Sequence, residues 1–228
     1  SLMAGHSLGE YSALTAAGVF SIPEAVKLVR FRAKAMQDAV PVGVGGMAAI
    51  LGLADDVVAE VCAQASEKGI VEAVNFNSPG QVVIAGVKDA VEDACVIAKE
   101  KGAKRALVLP VSAPFHSSLM KPASDALRAR LNETLMSAPT VDVVANIDVT
   151  VHGDKDAIVD ALAQQAAGAV QWVKTIEFFK AQGVTHVVEC GPGRVLAGLI
   201  KRIDPSIVVM NVNSEESLKS VLEQVKAL

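Results

Sequence analysis

One segment limits the architecture of this chain more tightly than any other. Across residues 43–112 the apolar pattern switches period in a fixed order. "MAAILGL" reads as a strand, and "ADDVVAEVCAQASEKG" follows as a helix with Gly69 as its stop. "IVEAVNFN" and "QVVIAGV" are strands joined through Ser78-Pro79-Gly80, a turn signal. "KDAVEDACVIAKEKG" is a second helix ending at Gly102, and "AKRALVLPV" is a last strand. The order β-α-β-β-α-β is the ferredoxin-like pattern. It reads as a subdomain, residues 43–112, inserted between residues 1–42 and 113–228 of a larger α/β core.

The flanking parts carry that core. Ser21 and Glu24 form a capping box with Pro23 in the first turn of the helix that follows. On it Ile22, Ala25, Val26, Val29, Ala33, Met36 and Val40 share one face, and Lys27, Arg30, Lys34, Gln37 and Asp38 share the other. Arg32 falls among the apolar residues, between Ala25 and Ala39, and breaks the pattern. Further helices are expected over residues 118–136, 154–165 and 173–182. "VTHVVEC" and "SIVVMNV" read as strands, "GPGRVLAGLIKRI" as a tight turn opening a helix, and "SEESLKSVLEQVKAL" as a closing helix. Half of the residues are apolar but only 4% aromatic, so small aliphatic side chains must bring helices close to sheets. A net charge of −4 argues against nucleic acid as the main partner. No apolar run suits a membrane span, and without a charged n-region followed by an apolar h-region no secretory signal is expected. Cys62, Cys95 and Cys190 fit reduced thiols of a cytoplasmic protein, and no metal-binding spacing occurs.

The chemistry is concentrated in "LMAGHSLGEYSAL". Gly5-His6-Ser7-Leu8-Gly9 lies where an apolar run turns into a helix, the nucleophile-elbow arrangement. There Ser7 stands exposed at a helix N-terminus and the Leu8 N–H can face a developing oxyanion. The plainer alternative is a glycine-rich turn with an idle serine. A strand of residues 1–4 is shorter than the usual ~5–6, so the chain is expected to begin inside an element. A nucleophilic serine needs a base. His6 adjoins Ser7 and would point away, His152 lies in a polar turn and His186 inside a strand. His116, in the loop "VSAPFHSSLM", is the best placed. Arg32 is either an internal ion-pair residue or a cationic anchor for a substrate carboxylate. Gln165 is a polar residue on the same helical face as Ile158, Ala161 and Leu162. "GPGRVLAG" matches no phosphate-binding fingerprint and reads as a turn, with an anion site as the alternative.

Six stretches in order, "GHSLGEYSAL", "VRFRAKAMQDAVP", "NFNSPGQVVIAG", "APFHSSLMKPA", "QQAAGAVQW" and "ECGPGRVLAGLIKRI", closely resemble the bacterial malonyl-CoA:acyl-carrier-protein transacylases. The resemblance implies an α/β-hydrolase-like core with a ferredoxin-like insert. It implies Ser7 as the acylated residue, His116 as its base and Arg32 as the holder of the malonyl carboxylate. The Gln165 backbone carbonyl would orient His116 in place of an acidic residue. Phe115 resembles the malonyl-type signature, and Met36 lies beside Arg32 in the expected substrate pocket. The substrates implied are malonyl-CoA and acyl-carrier protein, with no cofactor beyond the CoA thioester itself. Because carrier proteins of this pathway are acidic, Lys104, Arg105 and Lys121 are candidate contacts for carrier protein or CoA. Ala169 stands where the family often has proline. Family members also carry a further N-terminal part of the core, with a second oxyanion donor, so this sequence is expected to be a truncated member. Two other readings remain: a serine thioesterase or esterase on the same core, and an inactive fragment that binds a carrier protein.

Overall fold

A computed structural model describes residues 1–227. The chain divides into two compact units, Ser1–Thr175 and the part from Ile176 onward.

In the first unit a short strand, β1 (Leu2–Ala4), runs directly into helix α1 (Leu8–Ala16), and α2 (Ile22–Asp38) follows. Strand β2 (Gly45–Leu51), helix α3 (Asp55–Ala65), strands β3 (Val71–Ser78) and β4 (Gln81–Val87), helix α4 (Lys88–Glu100) and strand β5 (Arg105–Val108) come next. The four strands form one antiparallel sheet in the order β3-β4-β2-β5. Side chains alternate across a pleat, and here both faces are covered. Ile50, Val82 and Ile84 pack with Val58, Val61, Val91 and Ala94 of the two helices. Met47, Val83 and Ala85 pack with Val74 and Phe115 on the other side. That is why "QVVIAGV" reads as an unbroken apolar run.

The chain then passes through the loop that carries His116 into α5 (Lys121–Asn132), strand β6 (Asp142–Val144), α6 (Lys155–Ala166) and α7 (Trp172–Ala181), within which the unit boundary falls. Strand β6 pairs in parallel with β1, Leu2 opposite Asp142 and Ala4 opposite Val144. Its three residues carry no periodic signal, and the sequence reading places no strand there. Tyr11, Leu14, Leu28, Met36, Leu127, Leu131 and Leu162 fill the core between these helices. The expected face of α2 needs correction. Leu28, Arg32 and Met36, spaced four apart, are its buried stripe, whereas Ile22, Val26 and Ala33 are exposed. The cap of α2 is also half of a capping box: Ser21 accepts from the Glu24 N–H, while the Glu24 carboxylate turns to Lys27 and Arg130.

The second unit continues with β7 (His186–Cys190), α8 (Val195–Ile203), β8 (Val208–Val212) and α9 (Glu215–Lys226). Strands β7 and β8 pair in parallel, His186 opposite Val208, a β-α-β unit closed by α8. The glycine-rich turn before α8 is occupied from within. The Glu189 carboxylate accepts the Leu196 N–H at 3.1 Å and the Ala197 N–H at 2.8 Å, taking up donors that an external anion would need. Among the described residues no helix is long and apolar enough to cross a membrane.

Candidate active site

The site begins with a strained backbone. Ser7 joins β1 to α1 with φ 53° and ψ −107°, a conformation that costs a non-glycine residue about 1–3 kcal/mol. The sharp turn folds the first turn of α1 back over Gly5, where a Cβ would lie 1.9 Å from the Gly9 carbonyl carbon and oxygen. Only glycine fits at position 5, whereas a Cβ on Gly9 would meet nothing. Leu8 is the first residue of α1, so its N–H is one of the free donors of the helix.

His116 arrives on the loop after β5, also at positive φ, 65°. The loop is pressed against β2 at Gly45, where a Cβ would meet the Pro114 ring at 2.3 Å. Ser117 fastens it further by donating to the Pro114 carbonyl at 2.7 Å. The His116 Nε2 lies 2.7 Å from the Ser7 Oγ, and its Nδ1 lies 2.8 Å from the backbone carbonyl of Gln165. A carbonyl only accepts, so Nδ1 carries the proton and Nε2 is left to accept from the serine. Burial holds the imidazole down at about 4; the bond to Gln165 opposes this, and the Arg32 charge and His6 add to it. The ring is therefore a neutral acceptor near pH 7.

Arg32 reaches the same oxygen from α2. Its Nη2 donates to the Ser7 Oγ at 2.9 Å and to the Gln165 Oε1 at 3.0 Å. Its carbon Cζ stacks 5.6 Å from the Tyr11 ring centroid, and its Nε is buried with no acceptor among the described residues. Burial lowers its pKa, while Tyr11 and Glu10 pull the other way. Gln165 is fully buried on α6, and its Nε2 donates to the Ser7 carbonyl and to the Glu10 carboxylate, each at 2.9 Å.

These groups open on a cavity of about 410 Å³, whose walls include Ser7, Arg32, Met36, Met47, Phe115 and His116. Of the residues singled out from sequence, Ser7, His116, Arg32, Met36 and Phe115 meet at this cavity and Gln165 lies behind it. Leu8 is adjacent and half exposed. Lys104, Arg105 and Lys121 do not line it. The Lys104 side chain lies against Gly52, Arg105 opens β5 opposite Leu51, and Lys121 pairs with Asp125 on α5.

Glu10 and Asn146 support the site and escaped the sequence reading. Glu10 is 2% exposed, and burial raises its carboxyl to about 7. Its spacing from Ala13, Leu14 and Ala17, all buried, was the available signal, but an acid in the first turn of a helix reads first as a dipole partner. Asn146, just after β6, accepts the Ser7 N–H at 2.7 Å and donates to the Gly5 carbonyl at 2.8 Å. With β6 itself unforeseen, nothing in the sequence pointed to it. Among the described residues no cluster of His, Cys, Asp and Glu could hold a metal ion.

The acyl transferase domain family matches residues 1–197. A malonyl CoA-acyl carrier protein transacylase of Salmonella typhimurium is 55% identical over 223 residues, 98% of this chain and 72% of that protein. A crystal structure of an acyl-carrier-protein S-malonyltransferase from Burkholderia pseudomallei superposes with a TM-score of 0.96 at 64% identity, covering 98% of this chain and 73% of the other. A malonyl-transacylase solved in complex with its type II polyketide acyl-carrier protein gives a TM-score of 0.96 at 50% identity, over 98% of this chain and 72% of that one. The chain belongs to the acyl transferase domain family, among the malonyl CoA-acyl carrier protein transacylases.

Proposed function

We propose that this chain moves a malonyl group from malonyl-CoA to the thiol of an acyl-carrier protein through a malonyl ester on Ser7, in fatty acid or polyketide synthesis. Neutral His116 takes the proton of the Ser7 hydroxyl through Nε2 as the oxygen attacks the thioester carbonyl. The Leu8 N–H faces the oxyanion. Collapse of the tetrahedral intermediate breaks the C–S bond, and the imidazolium returns its proton to the leaving CoA sulfur. The carrier thiol then enters, gives its proton to His116 and attacks the malonyl-serine ester. The imidazolium finally reprotonates Ser7. The Gln165 carbonyl keeps the imidazole in the required tautomer without adding a negative charge. No cofactor is required, because the thioester is already activated.

The observation that carries this reading is the Arg32 guanidinium 2.9 Å from the Ser7 Oγ inside a largely apolar cavity. Arg32 takes the malonyl carboxylate through its fork of donors, with the unpartnered Nε among them, and holds the acyl group between the two half-reactions. Met36 and Phe115 wall the acyl pocket. Lys104, Arg105 and Lys121 supply positive charge for carrier protein or CoA, and the site of action is the cytoplasm. Residues 1–42 and 113–228 form an α/β-hydrolase-like core, and residues 43–112 a ferredoxin-like subdomain. The strand order β3-β4-β2-β5, with both helices on one face, supports that division.

Mixing the purified protein with malonyl-CoA, recording the intact mass and mapping the adduct tests the reading. A malonyl group on Ser7 that passes to added carrier protein faster than to water is the expected result. An adduct on Ser12, Ser117 or Ser118 would overturn it. Loss of the adduct to water at the same rate with or without carrier protein would favour a thioesterase.

A further inference from the structure

Ser7 and Arg32 share a support that the transfer steps above do not use. The peptide groups on either side of the strained serine are both clamped. Asn146 Oδ1 accepts the Ser7 N–H at 2.7 Å, and Gln165 Nε2 donates to the Ser7 carbonyl at 2.9 Å. Both clamps rest on one atom: Glu10 Oε2 accepts the Asn146 backbone N–H at 2.9 Å and the Gln165 Nε2 at 2.9 Å. The other end of the Gln165 amide, Oε1, accepts from Arg32 at 3.0 Å. Glu10 Oε2 is the acceptor in both bonds, so it turns the NH2 end of Gln165 toward itself and the oxygen toward the guanidinium.

We propose that Glu10 is a positioning residue of the transfer site, holding Gln165 and Asn146 so that the Ser7 backbone and the Arg32 guanidinium stay registered for a malonyl group. The proposal rests on the reading of Arg32 as the malonyl anchor. A plain buried acid that merely stabilises the fold would, on removal, slow every acyl donor alike. A positioning residue acting through Gln165 on Arg32 slows malonyl transfer more than acetyl transfer, because acetyl brings no carboxylate to be met.

The test is the ratio of second-order acylation rates with malonyl-CoA and acetyl-CoA, in the wild type and in Glu10→Gln, Glu10→Asp, Glu10→Met and Arg32→Met. Glu10→Gln keeps an acceptor oxygen for both N–H groups and should hold the ratio within about threefold. Glu10→Met keeps the volume and removes the acceptor. Glu10→Asp keeps the carboxyl group and shortens the reach, and serves if the Met variant does not fold. Each of these two should lower the ratio about tenfold, the loss expected for one hydrogen bond to a charged group. Equal losses with both donors in Glu10→Asp or Glu10→Met would overturn the proposal. So would Glu10→Gln behaving like Glu10→Met. An unchanged ratio in Arg32→Met would instead remove the anchor reading, and this inference with it.

Discussion

The four-stranded sheet with α3 and α4 and the cleft around Ser7 are built by opposite rules. In the sheet region, side chains follow the local pattern: Ile50, Val82 and Ile84 are at most 1% exposed and meet other aliphatic groups. In the cleft, Glu10, Arg32, His116 and Gln165 are buried polar or charged groups, and Ser7 and His116 sit at positive φ without being glycine. Each such feature is costly alone. They persist because nearly every donor and acceptor is matched within one network, where a low dielectric strengthens satisfied bonds and penalises missing ones. Stability in the first region comes from volume; function in the second comes from strain and charge held in place.

Paired substitutions give the largest contrast. His116→Ala removes the proposed base and should slow acylation of Ser7 by about two to four orders of magnitude, read by intact mass against time. Ile84→Ala should instead cost about 2–5 kcal/mol of unfolding free energy, read in denaturant, while the folded protein acylates at the wild-type rate. A rate loss in Ile84→Ala comparable to that of His116→Ala would erase the distinction.

Acidity should separate two members of the network next. His116 sits at about 4 in the folded chain against 6.5 for the free side chain. Between those values the unfolded chain holds more protons, so this group removes stability as pH falls from 6.5 to 4. Glu10 sits at about 7 against 4.5. There the folded chain holds more protons, so this group removes stability as pH rises from 4.5 to 7. Each contribution is about 3 kcal/mol, and the two oppose each other. Relative to wild type, Glu10→Gln should therefore lose stability more steeply on acidification from 6.5 to 4. His116→Asn should lose it more steeply as pH rises from 4.5 to 7. Profiles parallel to wild type in both variants would show that neither group is shifted by burial.

The smallest effect isolates strain. Ser7→Gly and Ser7→Ala both lack the hydroxyl, but only alanine keeps a Cβ at φ 53°. The glycine variant should be the more stable by about 1 kcal/mol, the reverse of glycine's usual penalty. Equal melting temperatures would mean that the elbow stores no strain.

The same contrast decides what could be read from sequence. The order of strands and helices over residues 43–112 was legible because short apolar runs bounded by turn residues alternate there with amphipathic helical segments. The serine elbow was legible because strain leaves glycines behind, and Arg32 because a cation interrupts an apolar face. What stayed hidden depends on tertiary partners. On α2, burial follows Leu28, Arg32 and Met36 rather than the apolar residues alone, because Arg32 is buried by what it bonds. Strand β6 exists through pairing with β1, and Asn146 is positioned by it. Glu10 resembles an ordinary acid at a helix start until Gln165 and Asn146 are seen to converge on it.

In the proposed function the buried guanidinium in the cleft is there for a substrate carboxylate. Losing one partner of a buried charge pair costs ~2–5 kcal/mol, and each ~1.4 kcal/mol is tenfold. Arg32→Ala should therefore lower kcat/KM for malonyl transfer by about 30-fold to several thousandfold, while acetyl transfer falls little or rises. The decisive quantity is the ratio of malonyl to acetyl kcat/KM, measured in wild type and Arg32→Ala. The ratio should collapse in Arg32→Ala; an equal fall with both donors would instead make Arg32 a structural cation with no part in holding malonyl.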